Sequence, residues 1–533
     1  MIPPPAASSS PALARSAGVT GAATLTSRIL GLVRDQVLAA LFGAGIEMDA
    51  FIVAFRIPNV VRDLFAEGAM SAAFVPTFTK RLTLRGKTEA WRLGNNLINA
   101  LILTTGILVT IGMIFAAPIV GLYARDFGLV PGKLELTIAL TRVMLPFLVT
   151  AAVAAAVMGM LNSLHHYFIP SLSPALFNVA TILAAFTLAP LMPALGLPRI
   201  AAIAIAALVG GVLQVLTQWP SLRREGFRYR VTLDLRDPAL RQVLILMGPG
   251  TVGLAATQVN LFVNTFLATS QGTGAVSWLS YAFRLMYLPI GLFGVSIATA
   301  TLPAVSRHAA VGDREGIRHT VAQAIAMMLV LNVPAMFGLL ALSEPIVRLL
   351  FERGRFHASD TAATAAALRF YAIGLTGYAT ARIASPVFYA LGRSRVPVFV
   401  SVVTIALNVS LNVWLVRVLG FRGLALGTSI AMMVNGATLL VLLHRHLDGL
   451  DTSRLTATFL KVAVASGAMA AAAAGLDRVF SEITTGGGVV MNAARVFASI
   501  AVGIAVLTAV ARLLRIREFD EALSSVTARL KQM

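Results

Sequence analysis

The chain has 533 residues, 57% of them hydrophobic and 12% charged, with a mean hydropathy of +0.82. That balance excludes a soluble globular protein, and the absence of cysteine excludes disulfides, thiolate chemistry and cysteine-ligated metals. The formal charge of +20 raises the question of nucleic acid, but the basic residues gather in alternate loops between apolar stretches, so no nucleic-acid partner is expected.

Residues 1–16, rich in Pro, Ser and Ala and without an apolar core, predict a short disordered tail and no cleaved signal peptide. Beyond them, fourteen apolar stretches reach the ~20 residues that span ~30 Å of hydrocarbon. They lie at about 17–42, 50–80, 92–122, 136–161, 168–192, 199–220, 239–267, 275–305, 317–342, 360–390, 396–418, 423–445, 455–476 and 490–514. No intervening segment is long enough for a soluble domain, so function resides in the bundle. Pro58, Gly248-Pro249-Gly250, Pro289 and Pro334 interrupt the second, seventh, eighth and ninth spans. Such breaks are tolerated where neighbouring helices or cavity water satisfy the freed backbone groups. Lys and Arg concentrate in one set of loops: 80–92, 223–241, 307–318, 393–395 and 512–517. The positive-inside rule then puts both termini in the cytoplasm, with membrane lipids as partners and anionic headgroup contact as a secondary gain.

The chain also repeats weakly. Phe55-Arg56-Ile57-Pro58, followed by Leu64-Phe65 and Ala72, matches Phe283-Arg284-Leu285-Met286, followed by Leu292-Phe293 and Ala300, at an offset of 228. Met160-Leu161-Asn162 to Asn178 echoes Ala390-Leu391-Gly392 to Asn408 at nearly the same offset. Six helices separate the copies, an even number, so both point the same way. The expected fold is therefore an all-α integral membrane protein with two parallel six-helix lobes, 17–222 and 223–450, and a site between them. Helices thirteen and fourteen, 451–516, form an appendage, and 517–533 a cytoplasmic tail.

Charge inside the first two spans carries the functional signal. Asp49, Arg56, Asn59, Asp63 and Glu67 follow a helical spacing that sets them on one face, with Arg62 off that stripe unless the Pro58 kink turns it back. In the first helix Arg28 and Asp35 share a face, while Arg34 points elsewhere. With Arg284 across the repeat, this makes a cationic set answered by carboxylates. A guanidinium at bilayer depth costs at least ~2.5–3.5 kcal/mol and is kept where it faces a wet cavity and holds something negative. Arginine suits phosphate because its planar fork donates two parallel hydrogen bonds. Buried ion pairs that merely fix helix packing are the competing reading.

Arg142, Arg369 and Arg382 read as snorkelling or interhelical contacts, and Asn332, Asn408 and Asn412 as interhelical bonds. There is no Walker A loop and no metal-ligand spacing, so neither ATP hydrolysis, a metal nor a cofactor is expected. The charges argue for a transporter, not an enzyme.

Ser27 to Asp35, Phe42-Gly43-Ala44-Gly45 leading to Asp49-Ala50-Phe51, Phe55 to Asn59 and Phe65 to Ala69 together resemble the opening of the MurJ/MviN family. Phe283 to Met286, ending at Leu302-Pro303, is similar to the family's eighth helix. The resemblance covers essentially the whole chain. It implies a lipid II flippase of the MOP exporter superfamily, related in fold to MATE transporters, in the bacterial inner membrane. Lipid II, the undecaprenyl-diphosphate-linked peptidoglycan precursor, would move to the periplasmic leaflet by alternating access, serving cell-wall biogenesis and cell shape, with cell-wall synthesis proteins as partners. Carried over by position, Arg28, Arg34, Asp49, Arg62 and Arg284 match the family's cavity charges. Asp35 and Glu67 match its motif acids, and Arg56 stands where other members carry Lys. Helices thirteen and fourteen match a groove for the lipid tail. The alternative substrate is another polyprenyl-diphosphate-linked saccharide. Energy coupling through the membrane potential, protons or a cation stays open.

Overall fold

The computed structural model describes residues 11–63, 70–483, 488–521 and 523–524. It is 87% helical, with no strand among the described residues. Each expected span has a helix, or helices separated by a local break, at its position. Nine helical segments among the described residues are long and apolar enough to cross a membrane on those criteria alone. Among the expected spans outside that set, 275–305 and 360–390 are broken into shorter helices.

Contacts divide the chain into two compact units, Met1–Thr273 and Gly274–Met533. The first contains α1 (Pro11–Phe42), α2 (Ile46–Arg62), α3 (Met70–Ile114), α4 (Ala116–Tyr123), α5 (Lys133–Met144), α6 (Phe147–Ser163), α7 (Phe168–Thr187), α8 (Ala201–Arg224) and α9 (Pro238–Thr269). Helix α1 begins inside the stretch expected to be a tail. Helix α9, which the sequence repeat assigns to the second lobe, packs on α3 within this unit. Gly86, at φ +80°, breaks α3 into two helices where a side chain would be strained. The core joins Phe74, Phe78, Trp91 and Leu97 of α3 to Val157 and Met160 of α6 and Leu222 of α8.

The second unit contains α10 (Ala275–Pro289), a π-helical turn at Ile290–Gly294, α11 (Val295–Ala310), α12 (Arg314–Phe351), α13 (Ala358–Ile373), α14 (Leu375–Ala390), α15 (Arg395–Leu419), α16 (Phe421–His446), α17 (Thr452–Ile483) and α18 (Val489–Leu513). Its core runs from Val321, Ile325 and Met328 of α12 through Ile383 and Phe388 of α14 to Leu439 and Leu443 of α16. Helices α14 and α16 touch backbone to backbone at Gly377 and Gly436, where a Cβ on Gly436 would lie 2.8 Å from the Gly377 carbonyl oxygen. Small residues permit such approach, the usual basis of helix association in lipid. The outer faces are apolar and open: Phe399 of α15 is 70% exposed and Phe497 of α18 66%. Hydrocarbon, not water, is the solvent such surfaces fit.

Candidate functional site

The charges of α1 and α2 form three separate stations within the first unit. At the first, Arg34 donates from Nε and Nη2 to one oxygen of Asp35, at 3.1 and 2.8 Å. Asp35 thus bonds its chain neighbour Arg34, although helical spacing sets Arg34 on another face. The long Arg34 side chain wraps round the helix to its neighbour, while Arg28 is exposed. The Arg34 guanidinium lies 5.8 Å from the centroid of Phe177, which stacks on Phe55 at 5.6 Å, and both rings pack on Phe147. Asn178 of α7 donates to the Ser27 carbonyl at 3.1 Å, fixing α1 one residue before Arg28. Arg34 is thus seated between a carboxylate and an aromatic cluster, with 14% of its side chain exposed.

The second station lies at the far end of α2. Arg62 donates to one oxygen of Asp63 from Nε and Nη2, at 3.1 and 2.7 Å, and Gln258 of α9 approaches the other oxygen at 3.5 Å. This repeats the Arg34–Asp35 geometry, but the pair is more open, at 32% and 24% exposure. The buried side-chain oxygens of Asn59, one turn back, and of Gln258 have no hydrogen bond among the described residues. Buried acceptors of this kind call for water or a ligand donor. Arg56 lies between the stations, half-buried and beside Tyr123. Glu67 falls outside the described residues.

The third station was hidden in the sequence. Asp49, in the first turn of α2, is fully buried and accepts a hydrogen bond from Lys133 Nζ at 2.8 Å. Lys133 opens α5, is itself buried, and lies 4.0 Å from the centroid of Phe127. The sequence gives no sign of this pair, because it joins residues 84 apart in the chain and no local pattern signals it. Thirteen residues separate Asp49 from Arg62, about 20 Å of helix, so no single diphosphate touches both.

In the second unit Arg284 is exposed on α10. Its neighbour Phe283 packs against Tyr287, Tyr371 and Tyr378 at 5.5–6.2 Å. Arg382 donates to the Tyr287 hydroxyl at 2.6 Å. The two copies of the Phe-Arg repeat thus do the same local work: the phenylalanine anchors in an aromatic cluster and the arginine follows it. No group of three or more His, Asp or Glu side chains suited to a metal occurs among the described residues.

What this arrangement can do is hold anions: cationic forks set against carboxylates and aromatic rings, partly open, on helices that are otherwise apolar. Comparison with known proteins concerns the chain as a whole. A family model described as "Lipid II flippase MurJ" matches residues 38–496. A "Probable lipid II flippase MurJ" of Vibrio cholerae is 36% identical over 473 residues, covering 86% of this chain and 87% of the relative. One of Bdellovibrio bacteriovorus is 35% identical over 457 residues, covering 85% and 86%. A solved structure, "Lipid II flippase MurJ, inward closed conformation", superposes with a TM-score of 0.77 at 27% identity, over 93% of this chain and 99% of that one. An inward-facing MATE transporter of the MOP superfamily, at TM-score 0.67 and 18% identity over 81% of this chain and 98% of that one, shares the fold alone. The chain is a multi-pass membrane protein and belongs to the MurJ family.

Proposed function

We propose that this chain is a lipid II flippase, a transporter and not an enzyme, which carries the undecaprenyl-diphosphate-linked precursor from the cytoplasmic to the periplasmic leaflet. Fourteen crossings in two parallel six-helix lobes, 17–222 and 223–450, with α17 and α18 as a tail groove and both termini cytoplasmic, complete this reading. Family membership supports the substrate, and the observation that carries the mechanism is the Arg34–Asp35 station. Arg34 spends Nε and Nη2 on one carboxylate oxygen, and its Nη1 makes no hydrogen bond among the described residues. An arriving diphosphate, with more charge and more acceptor oxygens than Asp35, takes over the fork. When the diphosphate leaves, Asp35 closes on Arg34 again, so no bare cation is left in a low dielectric. Arg62–Asp63 repeats the device at the more open end of α2, and Arg28 and Arg284 add positive charge. An inside-negative membrane favours outward movement of the anionic headgroup by ~2.3 kcal/mol per charge per 100 mV.

Vesicles containing the purified chain and fluorescent lipid II test this through quencher access to the outer leaflet. Asp35→Asn should bind lipid II more tightly yet move it more slowly, because release loses its competitor. Faster movement with unchanged binding would remove the exchange mechanism and leave the pair structural.

A further inference from the structure

The connection between α8 and α9 is an extended strap laid along α3. Phe227 seats it at one end, 1% exposed and packed edge-on against Trp91 and Trp219. Asp237 seats the other end, where both its oxygens accept from Arg81 Nη1 at 3.0 and 2.8 Å. Between these ends two side-chain amides of α3 grip its backbone. Asn95 donates to the Arg228 carbonyl at 3.1 Å and accepts from the Arg230 N–H at 2.9 Å. Asn99 donates to the carbonyls of Arg230 and Thr232 at 2.8 and 2.9 Å.

So firm a hold contrasts with what the strap displays. Val231, Leu233 and Leu235, at alternate positions along it, are 84, 41 and 62% exposed. Interleaved with them, Arg228, Arg230 and Arg236 are exposed too. Three exposed aliphatics are a poor choice for water, and three arginines interleaved with them favour a surface that is apolar and anionic together.

The helices that the strap joins and the aromatic side chains around it point to its partner. The strap joins the end of one long apolar helix to the start of another, and it is clamped to α3 beside Trp91, within the membrane-length segment Ala73–Ile114. Trp91, Trp219 and Tyr229 cluster around it, and Trp and Tyr favour the headgroup level of a bilayer. At that level aliphatic side chains enter the acyl boundary while guanidinium groups stay with phosphates. We infer that residues 227–237 form a fixed interfacial binding site for anionic phospholipid headgroups, with Arg228, Arg230 and Arg236 engaging phosphate and Val231, Leu233 and Leu235 inserting beneath it. This requires only that the chain spans the membrane, and it is independent of what the protein transports.

The test uses the full chain with Trp278→Phe and Trp414→Phe, so that fluorescence comes from Trp91 and Trp219 beside the strap. It is reconstituted in phosphatidylcholine vesicles containing a fixed fraction of phosphatidylglycerol, with either lipid brominated on its acyl chains. Brominated phosphatidylglycerol should quench more strongly than brominated phosphatidylcholine at equal mole fraction. Raising the salt should erode the difference. R228Q/R230Q/R236Q should lower the preference by roughly five-fold per arginine removed, the equivalent of about 1 kcal/mol per basic residue. Equal quenching by the two lipids in the parent overturns the inference, as does a preference that survives both salt and the triple variant. Shielding of the tryptophans from both lipids also overturns it and assigns the face to a soluble partner. Because the salt arm uses the parent protein, the outcome does not depend on the variant folding.

Discussion

Lys133→Ala is the substitution with the largest expected effect on the first unit. At 2.8 Å the Lys133–Asp49 attraction is about 6 kcal/mol at an effective dielectric of ~20. Desolvating the two ions costs several kcal/mol each, so the intact pair contributes little net stability. Removing one member is different, because it takes the cation away from a carboxylate that is 0% exposed, at a cost of about 3–5 kcal/mol. The ring contact with Phe127 at 4.0 Å adds up to ~2 kcal/mol. Unfolding in mixed micelles, followed by tryptophan fluorescence, should therefore place either single variant well below the parent, with Asp49→Ala plus Lys133→Ala losing less than the two single losses added together. The coupling should be about 1–3 kcal/mol, with the double variant less damaged than the sum of its parts. Strictly additive losses, or a Lys133→Ala protein as stable as the parent, would refute the reasoning and reduce the pair to an ordinary polar contact.

Three further outcomes follow from the same geometry. Gly436→Val should wedge α14 from α16 at Gly377 and destabilise the second unit by about 1–3 kcal/mol, read as a lower melting temperature in detergent. Asn95→Ala with Asn99→Ala should release the strap and speed trypsin cleavage at Arg228, Arg230 and Arg236; an unchanged cleavage rate would show that the amide clamp is not what holds it. Burial raises the Asp237 carboxyl's pKa, but the Arg81 hydrogen bond and the α9 amides more than offset that and hold it below the ordinary carboxylate range. A carboxyl so depressed contributes stability above its unfolded value near 4 that is lost as pH falls through the lower folded value. Trp219 emission should therefore change in that acid window, and Asp237→Asn should abolish the step.

Much of the helical framework was legible from hydropathy, because length and apolar content decide which segments cross hydrocarbon. The breaks at Gly86, Leu342 and Gly374 were less so, and at Gly374 the reason is what a neighbouring helix packs against. At Gly374 a Cβ would lie 2.7 Å from the Ser429 backbone, a contact between residues far apart in sequence. The arginines announced themselves by being costly in an apolar helix, but their partners did not. Helical geometry sets Arg34 and Asp35 on diverging faces, and only the reach of the arginine stem brings them together. Lys133 was unreadable for the opposite reason. A lysine just after Pro131-Gly132 has the signature of a loop, and its burial exists only because α5 packs on α2.

The central claim is lipid II export through the arginines, and one measurement reaches it directly. A bacterium depleted of its own flippase would receive the parent chain, Arg28→Ala or Arg284→Ala at matched membrane levels, with lipid II exposure scored by a hydrolase added outside. The account predicts growth and exposure with the parent and neither with the variants. Growth and exposure with all three proteins would contradict the arginine site, and no exposure with a well-inserted parent would contradict the substrate.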